Sequence, residues 1–299
     1  MKKETPVKYQ SSANLFQFCR LVLDKKFGGI RVIDQDVGQI LGFDPADCSH
    51  WKKGKKNIKS IHAMKAIADH LGVDERLVVD VANGEINDKE AFYELSGYGE
   101  FKIQDQLFDQ ARKEYYRRNV NTWTREKESE FRTFFDLNET RINEIVKEIH
   151  QKINFNEAPL YLPEIAQGYA ELELVPTATD ESEIKVERRQ DKWEIFYPGQ
   201  IKMRPYIRYH IGKCLAKYFL EKEGLQISNE LGEYAERVHD IQTNLFAAKL
   251  LTPANLLRKE LANVNPSKDI ITQLADIFWV SKTFVNVRLK EILQTNPEL

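Results

Sequence analysis

The sequence predicts a multidomain chain with an all-α N-terminal domain, a helical connector and an α+β C-terminal domain. Three observations support this prediction. Residues 12–86 contain short runs with apolar positions at helical spacing, most of them ended by glycine. Residues 87–139 are charged and aromatic, with few helix breakers. Beyond Pro159, short segments alternate apolar and polar residues as strands do, and long helical patterns follow them.

The amino-acid composition and the net charge exclude some classes of function. Of the 299 residues, 42% are hydrophobic and 30% are charged, which is ordinary for a globular protein with sizeable cores. The formal net charge of −2 excludes a generic polyanion binder, so any nucleic-acid contact must come from a local basic patch. The three cysteines are far apart in the sequence and predict a reducing compartment. Without a signal peptide or a long apolar run, we expect a cytoplasmic protein with no membrane contact.

The first domain, residues 12–86, is predicted to consist of five short helices. Asp44 followed by Pro45 is the strongest local signal, because it places a capping carboxylate directly before a proline at the first helical position. Gly42, Gly72 and Gly84 are predicted to end the helices that precede them. The predicted helices cover residues 12–26, 34–41, 45–53, 60–71 and 74–83.

Residues 32–78 resemble the XRE-type, or lambda-repressor-like, helix-turn-helix family. The resemblance lies in the first motif helix and its turn, in a pattern similar to I-S-x-W-x-x-G-K and in a pattern similar to L-A-x-x-L-G-V. The matching residues are Val37, Leu41, Gly42, Cys48, Ser49, Trp51, Gly54, Lys55, Ile67, Ala68, Leu71, Gly72 and Val73. Gly38 departs from the family, which prefers alanine there. The resemblance implies a bacterial DNA-binding regulator.

The helix after the turn is the predicted DNA-contacting element. Its N-terminal residues would approach base edges in the major groove, and the lysines after it would contact phosphates. The predicted base-edge residues are Pro45, Ala46, Asp47, Ser49 and His50, and the predicted phosphate contacts are Lys52, Lys53, Lys55 and Lys56, with Lys59 beside them. Asp47 would either accept from a cytosine amino group or cap the helix. The alternative is that these lysines form only a solvated surface. Trp51 is predicted to be a core residue.

Residues 140–265 resemble the ImmA/IrrE family of metallopeptidase-like domains, which implies a zincin-like α+β fold. The closest match is to the family segment N-x-F-A-A-x-L-L-x-P, and it comprises Asn244, Phe246, Ala247, Ala248, Leu250, Leu251 and Pro253. The family's working site is a helix with His-Glu-x-x-His, plus an acidic ligand upstream of that segment.

The active-site helix departs from the family pattern. His210 stands at the first histidine, Cys214 at the second, and Asp240 near the downstream acidic ligand. Residues four apart share a helix face, so these three side chains are the candidate ligands of a residual zinc site, against the alternative that the metal is lost. Ile211 replaces the glutamate that activates zinc-bound water. We therefore expect no catalytic residues and no peptidase activity. No other cofactor is indicated.

Residues 266–299 resemble the helix-turn-helix-like end that follows the family's peptidase core. Ser281 is a predicted N-cap, and four residues of the following helix could reach DNA or a partner: Lys282, Thr283, Asn286 and Arg288. A purely structural cap is the alternative.

Together these resemblances imply a one-component transcriptional regulator. The expected partners are double-stranded DNA and a second copy of the chain, with a protein or small-molecule effector acting on the C-terminal domain. Two other functions stay open: an active metallopeptidase that cleaves a repressor, and a protein-interaction module of the antitoxin or anti-repressor type.

Overall fold

A computed structural model describes residues 7–27, 32–97, 105–177, 184–189, 192–199, 205–225 and 229–295. The chain divides into two compact units, with the boundary along the sequence between residues 97 and 98. The described residues are mostly helical with one small sheet, so the prediction of an α-rich multidomain α+β chain is confirmed. None of the described helices is both long enough and apolar enough to cross a membrane.

The described helices of the first unit follow the predicted order. Gly42, Gly72 and Gly84 all adopt left-handed backbone conformations directly after a helix, which confirms them as helix ends. Asp74 caps the fifth helix, since its carboxylate accepts a hydrogen bond from the Arg76 N–H at 2.8 Å. The helices are α1 (Gln10–Lys26), α2 (Asp34–Leu41), α3 (Pro45–Lys52), α4 (Ile61–Leu71), α5 (Glu75–Asn83) and α6 (Asp88–Gly97).

Helix α1 is the centre of the first unit, and α2 to α6 all contact it. Its apolar face, which includes Leu15, Phe16 and Cys19, is fully buried. Helix α6 also packs on α1 and places Ala91 in this core. The first unit therefore includes α6, whereas the predicted connector began at residue 87.

The charged and aromatic segment packs against the second unit. Helices α7 (Asp105–Arg118) and α8 (Arg125–Phe134) bring Tyr115 and Phe131 together, with ring centroids 5.3 Å apart. These two rings share a buried cluster with Val238 and Ile241, which belong to a later helix of the same unit. Helices α7 and α8 of the predicted connector therefore belong to the core of the second unit.

A three-stranded sheet has the order β1 (Leu172–Thr177), β3 (Lys192–Pro198), β2 (Lys185–Arg189). Strand β3 pairs in parallel with β1 and antiparallel with β2, and the register places Ile195 opposite Leu174 and Val186. The alternating segments beyond Pro159 predict strands at residues 170–176, 183–187 and 192–197, with a turn at 188–191, and these strands overlap those observed. Residue 183 and the second half of the predicted turn at 188–191 lie outside the described residues.

Two long helices form the core of the second unit. In α11 (Pro205–Lys222) and α12 (Glu233–Leu251) most positions are buried, as expected for helices covered on all sides. Gly212 lets them approach closely, because a Cβ there would lie 3.2 Å from the Ala247 Cβ. Helix α9 (Glu139–Lys152) packs against α12, α10 (Leu162–Gln167) packs against β1, and α13 (Ala254–Asn263) follows α12 along the chain.

The C-terminal pair comprises α14 (Ile270–Phe278) and α15 (Lys282–Thr295). Ser281 caps α15 as predicted, since its hydroxyl accepts a hydrogen bond from the Phe284 N–H at 3.1 Å. Arg288 is not available to DNA. It is 4% exposed, and its guanidinium donates to the Thr252 carbonyl and to Glu291. The suggestion that Arg288 contacts DNA is therefore wrong, because the side chain ties α15 to the end of α12.

Candidate functional site

The turn before α3 is built by local sequence signals. Asp44 is the N-cap, and its carboxylate accepts from the Ala46 N–H at 2.8 Å, while Pro45 is the first helical residue. Close packing between α2 and α3 accounts for a glycine at position 38. A Cβ on Gly38 would lie 2.9 Å from both the Cys48 Sγ and the Phe43 carbonyl oxygen. The two helices therefore pack too closely here for a larger residue.

Helix α3 presents its polar side to solvent. Ala46 and His50 are exposed, and Asp47 and Ser49 are half-buried. Trp51 is fully buried, which confirms it as a core residue. Its ring packs edge-on against Phe16, with centroids 5.2 Å apart. The solvent-facing residues of α3 are therefore free to meet a ligand while the opposite side is fixed in the core.

Ser12 of α1 holds both ends of the lysine-rich segment, residues 52–59. Its carbonyl accepts from the Trp51 indole N–H at 2.6 Å, and its hydroxyl accepts from the Ile58 N–H at 2.9 Å. The same hydroxyl donates to the Asn57 Oδ1 at 3.2 Å. Ser12 is fully buried, so these bonds are shielded from water. The roles of Ser12 and Asn57 could not be predicted from the sequence, because no local pattern links positions so far apart.

Gly54 makes the tight turn inside this segment. Its φ is +60°, and its carbonyl accepts from the Tyr9 N–H at 2.9 Å. A Cβ at this position would collide with the Val7 side chain and would lie 2.8 Å from the Tyr9 carbonyl oxygen. Only glycine fits here without movement of the chain.

We expect Gly54→Ala to destabilise the first unit by about 2–3 kcal/mol, from left-handed strain plus the steric clash. Gly42→Ala is the matched control. Gly42 has a φ of +73° but nothing within 4 Å of an added Cβ, so it should cost only about 1 kcal/mol. Chemical denaturation of the two variants measures the difference. Equal losses would show that the contact with Tyr9 is unimportant.

The lysines of the segment differ in their partners. Lys52 pairs with Asp34 at 2.8 Å and Lys56 with Asp47 at 2.5 Å. Lys53, Lys55 and Lys59 are exposed, and none of them contacts a carboxylate within the part of the chain that the structure describes. Both ion pairs are themselves more than a third exposed, so each contributes about 0–1 kcal/mol and can be exchanged for a phosphate.

Asp47 does not cap α3, because Asp44 makes that hydrogen bond. Of the two predicted roles of Asp47, capping is therefore wrong, and base contact stays a prediction. Its carboxylate instead holds the Lys56 ammonium beside the helix start.

The predicted metal ligands lie on α11 and α12, two helices that pack against each other. Among the described residues, no group of three His, Cys, Asp or Glu side chains is placed to hold a metal ion. Asp240 pairs with the Lys213 ammonium, and its second oxygen accepts from the Asn244 amide at 3.4 Å. Asn244 in turn accepts from the Tyr209 hydroxyl at 2.8 Å. A lysine and an amide therefore hold the carboxylate predicted to bind zinc.

The protonation state of Cys214 points the same way, whereas a neutral His210 is compatible with metal binding. Burial, with a smaller contribution from the nearby Lys213 charge, lowers the pKa of His210 to about 3. Burial raises the pKa of the Cys214 thiol to about 11, so the thiol is protonated at neutral pH. Metals bind the thiolate. Ile211, at the position of the lost glutamate, is fully buried. These residues fit a packed polar core better than a zinc site.

No protein-family model matches the chain, and no curated protein sequence is significantly similar to it. The resemblances to the XRE-type and ImmA/IrrE families therefore stay predictions. What indicates a function is the placement of the described side chains.

Proposed function

We propose that the chain is a DNA-binding transcriptional regulator that contacts double-stranded DNA through α3 and the lysine-rich segment. One observation carries the proposal: Lys53, Lys55 and Lys59 are exposed, have no carboxylate partner among the described residues, and follow an exposed helix face on a segment fixed by buried hydrogen bonds. A merely solvated surface has no need of such anchoring. A rigid cationic segment binds phosphates without a large cost in conformational entropy.

In this proposal the contacts divide by type. The lysines set affinity and register on the phosphate backbone, and Ser49 and His50 approach base edges in the major groove. The residues of α3 are few, so each protomer reads a short half-site. We propose a homodimer on a two-fold operator, as is usual for helix-turn-helix regulators.

Asp47 restrains one phosphate contact, because it neutralises Lys56. We expect Asp47→Asn to raise DNA affinity about two- to fivefold, since it frees an ammonium group and removes a negative charge beside phosphates. Fluorescence anisotropy with random-sequence duplex DNA measures this general gain. A loss of affinity confined to one operator base pair would instead assign Asp47 to base reading.

The second unit is proposed to be a catalytically inactive ImmA/IrrE-like domain that serves sensing or partner binding. Water activation needs a proton acceptor, and Ile211 supplies none. The adjacent carboxylate on α12, Asp240, is bound to Lys213. A carboxylate held by an ammonium group is a poor base and a poor metal ligand.

An active metallopeptidase that cleaves a repressor is the competing function. We expect purified protein to contain less than about 0.1 zinc per chain and to show no metal-dependent proteolysis, because the described residues offer no three convergent ligands. Zinc analysis and cleavage assays on the full chain and on His210→Ala and Cys214→Ala test this. Proteolysis that zinc restores and His210→Ala abolishes would reverse the assignment.

A protein-interaction module is the second competitor, in which the helix-turn-helix contacts protein. The two functions differ in salt response. DNA binding through phosphates loses affinity steeply as salt rises, with a slope of about −0.9 per phosphate contact on logarithmic axes. A chain that binds no duplex DNA even at low salt would favour the protein-binding function.

A further inference from the structure

A cavity of about 830 Å³ lies in the second unit between α9, the start of α13 and α15. Its size is within the range of about 300–1,000 Å³ that is usual for small-molecule sites. Neither DNA contact nor the degenerate peptidase motif uses it. His210, Cys214 and Asp240 are not among its lining residues.

Amide side chains dominate the polar part of the cavity wall. All of them are exposed, and none makes a side-chain hydrogen bond to another residue in the described ranges. Amides both donate and accept, so they suit hydroxyl groups and ring nitrogens of a ligand. The five are Asn143, Gln151, Asn154, Asn156 and Asn255.

The cavity wall carries one uncompensated positive charge. Lys147 is exposed there and contacts no carboxylate among the residues that the structure describes. Lys249 and Arg288 also line the cavity, but Glu139 and Glu291 neutralise them at 2.8 Å and 2.6 Å. Lys147 therefore supplies the uncompensated charge.

The start of α13 opens on the same cavity. Residues 253–256, its N-cap and first three helical positions, all belong to the wall. The N-cap is Pro253, and no side chain caps the helix, so its first N–H groups keep their hydrogen-bonding capacity. The helix dipole adds positive potential at this end. Together with Lys147, these donors match the charge and the acceptor oxygens of a phosphate group.

Two aromatic rings and two aliphatic side chains line another part of the wall. Phe155 lies against the His150 ring, with centroids 4.9 Å apart, beside Val146 and Leu256. Burial lowers the pKa of His150, and its Nε2 lies 3.0 Å from the Leu250 carbonyl oxygen. A neutral ring pair of this kind suits a planar group rather than a second charge.

We propose that this cavity binds a phosphate monoester of nucleotide size. Its phosphate lies at the start of α13 and Lys147, and its hydroxyls and planar group lie against the amides and Phe155. This assignment does not depend on DNA binding by the first unit. Nucleotides and sugar phosphates both carry a phosphate monoester, and the titrations below distinguish between these two ligand classes.

The test is calorimetric titration of the full chain with four probes: inorganic phosphate, adenosine 5′-monophosphate, glucose 6-phosphate and adenosine. We expect saturable one-to-one binding of the phosphate-bearing probes and at least tenfold weaker binding of adenosine. Tighter binding of the nucleotide than of the sugar phosphate would assign the aromatic part of the wall to a base, and the reverse order would assign the amides to a sugar. No binding by any phosphate-bearing probe would overturn the proposal.

Three variants locate the site. Lys147→Ala should weaken binding about tenfold, and Asn143→Trp should abolish it by filling the cavity from an exposed position on α9. Lys259→Ala is the matched control, because Lys259 is an exposed lysine of α13 outside the cavity wall and without a carboxylate contact in the described chain. Circular dichroism checks that each variant is folded. If phosphate binds equally well to all three, it binds elsewhere and the assignment is wrong.

Discussion

Charge reversal of Lys53, Lys55 and Lys59 to glutamate is expected to weaken binding to duplex DNA at least about 100-fold. Each substitution removes one phosphate contact and adds a charge that repels the backbone. All three side chains are exposed and contact no carboxylate among the described residues, so their reversal breaks no ion pair of the first unit. Folding should be unchanged, and loss of binding can be assigned to the interface.

The salt dependence gives a second, independent measure. Loss of three phosphate contacts should make the slope of log affinity against log salt less steep by about 2.7 per protomer. Fluorescence anisotropy between about 50 and 200 mM salt measures both the affinity and the slope.

The matched control changes the same number of charges elsewhere. Lys259, Lys268 and Lys290 are exposed lysines of the second unit without ion pairs in the described chain. Their reversal to glutamate gives the same net charge but should change DNA affinity less than about threefold, because these lysines lie outside α3 and the lysine-rich segment. If both triple variants lost binding equally, net charge rather than the lysine-rich segment would determine affinity.

The local structure around α3 was predictable because its signals are adjacent in sequence. Asp44 and Pro45 set the start of the helix through groups one and two residues away, and Gly42 ends α2 because only a residue tolerant of left-handed geometry fits there. The same reasoning placed Ser281 before α15. Such signals depend on the backbone within one turn.

Long-range contacts were not predictable from the same patterns. Ser12 reads as an ordinary first-turn serine, yet it joins α1 to the lysine-rich segment. Lys52 and Lys53 look equivalent in sequence, and only the folded chain shows that Lys52 is paired with Asp34. A pattern identifies which residue types are present, whereas their partners depend on tertiary packing.

The predicted metal site shows the same limit. The i, i+4 spacing correctly places His210 and Cys214 on one helix, but it cannot show what the third candidate contacts. Lys213, one residue before Cys214, takes the Asp240 carboxylate. Lys213 belongs to no ligand pattern, yet its ammonium group determines what the Asp240 carboxylate contacts.

The anchoring of the interface can be tested at Trp51. We expect Trp51→Ala to destabilise the first unit by about 3–5 kcal/mol, because it leaves a large cavity beside Phe16 and Phe43. It also removes the hydrogen bond to the Ser12 carbonyl, which would stay buried without its donor. A domain of this size is stable by roughly 5–15 kcal/mol, so much of its stability would be lost.

Trp51→Phe separates packing from hydrogen bonding. It keeps most of the apolar volume but lacks the indole N–H, so we expect a loss of about 1–3 kcal/mol. Hydrogen exchange measured by mass spectrometry on the full chain resolves the effect by region. Faster exchange should be confined to residues 7–97, while α11 and α12 keep their protection, because the two units have separate cores. DNA affinity should fall with Trp51→Ala although no lysine is changed. If Trp51→Ala destabilised the unit but left DNA affinity intact at low temperature, rigid anchoring of the lysine-rich segment would not be what makes it a DNA-binding surface.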